Sequence, residues 1–204
     1  AEESNMIIEI DQWVIQAAMK QFAQWYNDGL NPGLLALNVS MKQLADTDFC
    51  KNIQTNMELY DFKSEWLELE ITESQMLKRP EEVIEKLTEI NNLGIGISID
   101  DFGTGYSSLS LLKRLPINRL KIDRSFIQDI PTDEEGVAIV KAIIALAKSL
   151  KLVLIAEGVE TSEQRDFLLE NNCLYIQGYY YNPPVSEEEM GGILLQHKNT
   201  LQND

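Results

Sequence analysis

Ile95-Gly96-Ile97-Ser98-Ile99-Asp100-Asp101-Phe102-Gly103-Thr104-Gly105 is the stretch on which the fold turns. Ile95, Ile97 and Ile99 are β-branched and alternate, which suits a buried, pleated strand. The strand runs into two adjacent carboxylates and then into a turn that Gly103 and Gly105 make permissive. Two aspartates at the mouth of a buried strand are costly to desolvate unless a cation sits beside them. A divalent metal is the cation expected, with its other ligands supplied from elsewhere in the chain.

Working outward, apolar residues at helical spacing (Ile10, Val14, Ala17, Ala18, Phe22, Trp25) predict a helix over 7–28, closed by Gly29. A turn at Asn31-Pro32-Gly33 leads to a strand over 34–39 carrying Asn38 near its end, and Ser40 caps the next helix. The alternating run Trp66-Leu-Glu68-Leu-Glu70-Ile71 reads as a second strand, and Pro80 opens a helix that Gly94 stops. Beyond the glycine turn come a short helix over 106–115, a strand over 119–123 with Lys121, a helix over 136–150 and a strand over 151–156 leading into Glu157. Thr161 with Gln164 makes a capping box for the following helix, a last strand spans 174–180 with Gln177-Gly178, and Ser186 with Glu189 opens the terminal helix.

Six strand–helix units alternate without a hairpin signal, which implies parallel strands covered by helices. Asn38, Glu70, Asp100, Asp101, Lys121, Glu157 and Gln177 all fall at or near strand ends. An open doubly wound sheet concentrates its site at one switch point, whereas a (β/α)8 barrel draws site residues from many strands. The scatter favours the barrel, although six units are two short and barrels typically take about 250 residues.

The 204 residues suffice for one large core, and 44% apolar content with mean hydropathy −0.20 is ordinary for a globular protein. No apolar run approaches membrane-spanning length, and the acidic start Ala-Glu-Glu-Ser is no signal peptide. A formal charge of −16 argues against binding long nucleic acid through an electrostatic face. Cys50 and Cys173 lie outside any CxxC spacing, which fits a reducing cytosol weakly and indicates neither a zinc site nor a disulfide framework. The single histidine, His197, sits in a polar tail, so no Ser-His-Asp triad, Cys-His pair or His-rich metal site is available.

Mg²⁺ and Mn²⁺ prefer oxygen ligands, and Asn38, Glu70, Asp100, Asp101 and Glu157 offer them from separate strands. Two such ions can clamp an in-line attack on a phosphodiester. Lys121 is the ammonium among them: it orients the attacking water, acts as its base through a lowered pKa, or offsets phosphate charge. The plainer reading of any single acid, such as Glu68 or Glu160, is a solvated or salt-bridged side chain, given 33 acidic residues. Lys121 and Asp123, two apart on one strand, also suit a simple ion pair. A Schiff-base lysine is a second chemistry for Lys121, and the surrounding acids argue against it.

In chain order, Glu68-Leu-Glu70-Ile-Thr72-Glu73-Ser74, Asp100-Asp101-Phe-Gly-Thr-Gly-Tyr-Ser-Ser108, Leu115-Pro116, Leu120-Lys121-Ile-Asp123, Ala156-Glu157-Gly-Val-Glu160-Thr161 and Gln177-Gly178-Tyr179 resemble the EAL domain, the bacterial phosphodiesterase that hydrolyses cyclic di-GMP. The resemblance runs from the N-terminus to about Glu189. It implies an α/β fold, a modified TIM (β/α) barrel, and two-metal (Mg²⁺ or Mn²⁺) hydrolysis of one phosphodiester to linear pGpG. By motif, Asn38, Glu70, Asp100, Asp101 and Glu157 match metal ligands. Lys121, with Glu157 and Asp101, matches the catalytic group, the lysine lying at the nucleophilic water. Glu73 matches the glutamate that holds the glycine turn, Glu160 a nearby second-shell acid, and Gln177 and Asp123 supporting polar groups. The turn Phe102, Gly103, Thr104, Gly105, Tyr106 and Ser107 matches the loop that couples the metal site to a dimer interface.

Two departures stand out. No Glu-Ala-Leu motif is present, and the sequence does not begin with Met, so residues 1–204 are expected to be a single domain incomplete at its N-terminus, lacking the first two strands and one ligand glutamate. Impaired activity and uncovered edge strands follow as expectations. The second departure is Tyr180-Tyr-Asn-Pro-Pro after Gln177-Gly178, where the family more often has a Lys-Pro. The resemblance further implies a homodimer, fusion to upstream sensor or GGDEF-type domains, and a cytoplasmic domain whose parent is free to be membrane-attached. The rival from another class is a non-catalytic cyclic di-GMP receptor, disfavoured because the acids and the glycine turn all stand.

Overall fold

The computed structural model describes residues 6–76, 79–105 and 109–201. Its strands are hydrogen-bonded neighbours in chain order, β1 (Leu35–Asn38), β2 (Leu67–Thr72), β3 (Gly96–Phe102), β4 (Arg119–Ile122), β5 (Val153–Ala156) and β6 (Tyr175–Ile176). Packing groups the chain into two compact units, one of residues 1–69, 92–96 and 184–204, the other of residues 70–91 and 97–183.

In the first unit, helix α1 (Met6–Asn27) buries Ile15, Met19 and Ala23, one stripe at four-residue spacing. Ile10 and Val14, expected on the inner face, are 44% and 40% exposed. Apolar residues run round much of this helix, so spacing alone does not select the buried face. Ser40 and Gln43 form a reciprocal capping box that opens the short helix α2 (Met41–Leu44). Helix α3 (Phe49–Tyr60), which the polar run before it conceals in the sequence, packs Phe49, Cys50 and Ile53 inward. Tyr26 stacks on Trp66 at 3.8 Å between ring centroids. The last helix of the chain, over Glu187–Leu201, starts where Ser186 and Glu189 bond each other reciprocally.

In the second unit, α4 (Glu73–Met76) and α5 (Pro80–Asn92) follow β2, and α5 buries Val83, Leu87 and Ile90 at 3.6-residue spacing. Then come α6 (Leu109–Leu112), α7 (Arg124–Ile127), α8 (Glu134–Leu150) and α9 (Ser162–Glu170), which makes the terminal helix α10. Strands β3 to β6 pair in parallel with helices between them, so Ile97, Ile99, Leu120, Ile122 and Ala156 are fully buried. Strand β6 holds only two residues against the expected seven. Gly178 lies so close to Val159 that an added Cβ would stand 2.1 Å from the Val159 carbonyl oxygen, and the chain turns there.

The acid-rich alternation of β2 suggests a strand with one wet face, yet Leu67, Glu68, Leu69, Glu70 and Ile71 are all buried. Strand β2 lies between β1 and β3, and alternate residues are buried alike, so both of its faces are covered. Two acids are thereby carried into the interior.

Candidate active site

Parallel strands align their C-terminal ends, and the acids of the second unit sit at those ends. Glu70 lies in β2, Asp100 and Asp101 near the end of β3, Lys121 in β4, and Glu157 one residue past β5. A barrel-type sheet places its chemistry at this edge.

Two consecutive aspartates on a regular strand would point to opposite faces. Here the pairing of β3 with β4 slips: Ile99 faces Leu120, but Phe102 faces Ile122, leaving one residue too many on β3. That bulge contains both aspartates, and Asp101 adopts a left-handed backbone, φ 52°. Asp100, Asp101 and Glu157 can thus each offer a carboxylate oxygen within 4.8 Å of the others.

Lys121, 4% exposed, is the cation of the cluster. Its Nζ lies 2.7 Å from Glu157 Oε1, 2.8 Å from Glu70 Oε1 and 3.3 Å from Asp100 Oδ1. Burial alone would favour the neutral amine, but hydrogen bonds to Glu157 and Glu70 and their charges outweigh it and push the pKa up. Of the roles open to Lys121, the base with a lowered pKa and the Schiff-base amine both need a neutral nitrogen, which this setting opposes. Asp123, two residues on, is occupied elsewhere. Its carboxylate caps α7 at the Ser125 N–H, 2.9 Å, and shares a hydrogen bond with Asp101.

Glu157 is pushed up to about 7, chiefly by burial and by the charges of Asp100 and Glu70, with Lys121 pulling the other way. Asp101 is raised by burial, by Asp100 and by Asp123. Burial also acts on Asp123, but bonds from Ser125 and Asp101 leave it lowered.

The glycine turn hangs on one carboxylate. Glu73 Oε2 accepts from the Gly103 N–H at 2.8 Å and the Gly105 N–H at 3.3 Å, and Thr104 Oγ1 donates to the Asp101 carbonyl at 2.9 Å. Phe102 belongs to the end of β3 and is buried, not to the turn proper. Gly103 has φ 103°, and a Cβ there would stand 2.6 Å from the Phe126 ring. Tyr106 and Ser107 lie outside the described residues.

Glu160 pairs with Arg124 at 2.8 Å, both about half exposed. Gln177 is tied through its backbone, donating to the Ala156 carbonyl at 2.8 Å and accepting from the Val159 N–H at 3.1 Å. Asn38 ends β1 in the first unit, exposed, beside a cavity of about 270 Å³ that Asp11, Ala36 and Gln43 also line. Glu70, Asp100, Asp101, Lys121 and Glu157 were legible as strand-end groups. The bulge that unites the aspartates has no signal in the sequence, nor does the partnership of Arg124 with Glu160.

Sheet and site together define a parallel α/β domain with an acidic, oxygen-only cluster at its C-terminal strand ends, suited to a hard cation. The EAL domain family matches residues 1–184, and the chain belongs to that family. It is 40% identical over 196 residues, 96% of this chain and 24% of the relative, to the signaling protein YkoW of Bacillus subtilis. It is 40% identical over 185 residues, 91% of this chain and 24% of the relative, to the cyclic di-GMP phosphodiesterase NbdA of Pseudomonas aeruginosa. The chain therefore spans about a quarter of the length of these curated relatives. Among solved structures, the PaMucR phosphodiesterase in complex with c-di-GMP superposes with TM-score 0.89 at 38% identity, covering 93% of this chain and 77% of that one. The EAL domain of Mycobacterium smegmatis DcpA gives 0.87 at 39%, covering 92% and 85%. The fold is thus the mixed α/β, TIM-like architecture of EAL domains.

Proposed function

We propose that residues 1–204 act as one phosphodiesterase domain that hydrolyses cyclic di-GMP to linear pGpG with two Mg²⁺ or Mn²⁺ ions. The observation that carries this reading is the convergence of Asp100, Asp101 and Glu157 within 4.8 Å, beside a lysine held by Glu70, Asp100 and Glu157. A donor set of carboxylate oxygens fits hard divalent cations; Glu70, Asp100, Asp101 and Glu157 are the residues assigned to hold them, with Asn38 assigned by motif. Bound there, the metal supplies Lewis acidity and a water of lowered pKa.

The residues divide the remaining work. Lys121 stays an ammonium, donates its hydrogen bonds toward the carboxylates and orients an attacking water while offsetting phosphate charge. Glu157, 2.7 Å from the Lys121 ammonium, is assigned to hold the metal and to keep that ammonium in place. Asp123 fixes Asp101 through their shared hydrogen bond, and Glu73 fixes the turn behind it. Gln177 and Glu160 brace the loop that carries Glu157. The segment 102–107 is assigned to coupling with a homodimer interface.

Fusion to upstream sensor or GGDEF-type domains is part of this reading, supported by a 38% identical relative that is a bifunctional diguanylate cyclase/cyclic di-GMP phosphodiesterase. Both cysteines are free and buried, consistent with a cytoplasmic domain. Among the described residues no helix is long and apolar enough to cross a membrane. Incubating the chain with cyclic di-GMP and Mg²⁺ or Mn²⁺ should yield pGpG, and EDTA should stop it. Binding without turnover in either metal would select the receptor instead.

A further inference from the structure

Gln164 is buried, 5% exposed, and the catalytic reading gives it no part. Its sequence context marks it as half of a capping box, and the structure confirms that: Thr161 Oγ1 accepts from the Gln164 N–H at 3.2 Å, and Gln164 Oε1 accepts from the Thr161 N–H at 3.1 Å. A capping box uses only the side-chain oxygen, and it leaves the amide nitrogen free to face solvent. Here the same oxygen also accepts from the Glu160 N–H at 2.8 Å. The Nε2 turns inward and donates to two carbonyls of another segment, Ile127 at 3.0 Å and Gln128 at 3.1 Å.

Those carbonyls end α7, whose first turn begins at Asp123, two residues after Lys121. Glu160 lies three residues after Glu157. One buried side chain therefore ties the segment that leaves Lys121 to the segment that leaves Glu157, the two residues that meet at 2.7 Å. A second tie runs in parallel on the outside. Arg124, the first residue of α7, bonds Glu160 at 2.8 Å, and its stem covers Gly158, where a Cβ would stand 2.3 Å from Arg124 Cγ. Gly158 has φ 68°, so the backbone next to Glu157 takes a left-handed form that the arginine stem closes over. An amide that satisfies four backbone groups from two segments has little freedom to move without breaking one of them.

We propose that Gln164, with Arg124 as its outer partner, is a positioning residue that sets the Lys121–Glu157 geometry and thereby the metal-holding position of Glu157. The proposal rests on the phosphodiesterase reading for its kinetic arm only. Gln164→Met keeps length and loses all four bonds. Gln164→Glu keeps the acceptor half toward Glu160 and Thr161. Arg124→Met keeps the stem over Gly158 and loses the ion pair.

The test measures kcat and KM for cyclic di-GMP, and Mn²⁺ affinity without substrate by electron paramagnetic resonance, at a temperature well below each variant's Tm. Gln164→Met should lower kcat tenfold or more with KM within twofold, and weaken Mn²⁺ binding about fivefold. Gln164→Glu should recover part of both. Arg124→Met should shift both in the same direction by a smaller factor, and it serves as the deciding variant where Gln164→Met does not fold. A fall in Tm with kcat and Mn²⁺ affinity both within twofold of the unsubstituted chain would overturn the proposal and leave Gln164 a stabilising cap. Absence of turnover in the unsubstituted chain would sink the phosphodiesterase reading alone, and the Mn²⁺ comparison would still decide the role of Gln164.

Discussion

Three carboxylates share one ammonium at Lys121, and this sets the balance of charge at the scale of single residues. Removing the ammonium leaves Glu70 buried, and Asp100 and Glu157 part-buried, with no counter-charge from it. Breaking a buried ion pair from one side typically costs ~3–5 kcal/mol. Lys121→Met should therefore lower the unfolding free energy at pH 8 in EDTA by an amount in that range, read from the fall in the urea midpoint at an unchanged m-value. The loss should shrink at pH 5, where Glu157 is protonated. Glu157→Gln tests the same cluster with the opposite sign. The carboxyl of Glu157 ionises near 7 in the folded chain against the ordinary value of 4.5, so the folded state holds its proton where the unfolded chain has released it. The stability it contributes is complete below pH 4.5 and is lost as the pH rises to about 7. Glutamine has no proton to lose, so Glu157→Gln should gain on the unsubstituted chain across that window in EDTA and stay level above it. Equal pH profiles in paired urea titrations would show that Glu157 titrates normally.

Strand ends and the loops that follow them decide where these groups point. Gly178 is the clearest case, because a methyl there would stand 2.1 Å from the Val159 oxygen and 2.3 Å from its nitrogen, both backbone atoms that cannot swing aside. Gly178→Ala should destabilise the fold by about 1–3 kcal/mol, the usual range for overpacking. It should also weaken Mn²⁺ binding, because Val159 and Glu157 share one loop; an unchanged affinity would show that the loop absorbs the shift. The elements themselves were largely readable. Isoleucine alternation marked β3, the Thr161 and Ser186 boxes marked two helix starts, and the strand-to-helix rhythm implied the parallel order. Less readable was whatever depends on a partner distant in sequence. The bulge at Asp100–Asp101 exists only because β4 offers one residue fewer, and the shortening of β6 follows from Val159 lying against Gly178. Burial of Glu68 and Glu70 likewise depends on what covers the face of β2 they share, which an alternating pattern does not report. Helix α7 and the second role of Gln164 escaped for the same reason: four residues carry too little periodicity, and a capping box looks the same whichever way its amide turns.

The whole molecule carries a formal charge of −16, and any cation will gather around it. Stabilisation by a divalent ion is therefore evidence for a site only if it exceeds this diffuse effect. A bound ion stabilises by mass action, about 2.7 kcal/mol at a concentration one hundred times its Kd, whereas diffuse screening depends on ionic strength and ion charge and is not confined to the cluster. Mn²⁺ should raise the Tm of this chain in a saturating curve, and EDTA should return it to its starting value. NaCl at matched ionic strength should give a smaller, unsaturating rise. The double variant Asp100→Asn/Asp101→Asn alters the net charge by only two, so diffuse binding should hardly change, while two of the three convergent carboxylates are lost. Differential scanning calorimetry of both proteins with and without Mn²⁺ separates the cases. A Mn²⁺ shift that disappears in the double variant places the cation at the bulge of β3; a shift that survives would mean that the acidic surface, rather than the cluster, holds the metal.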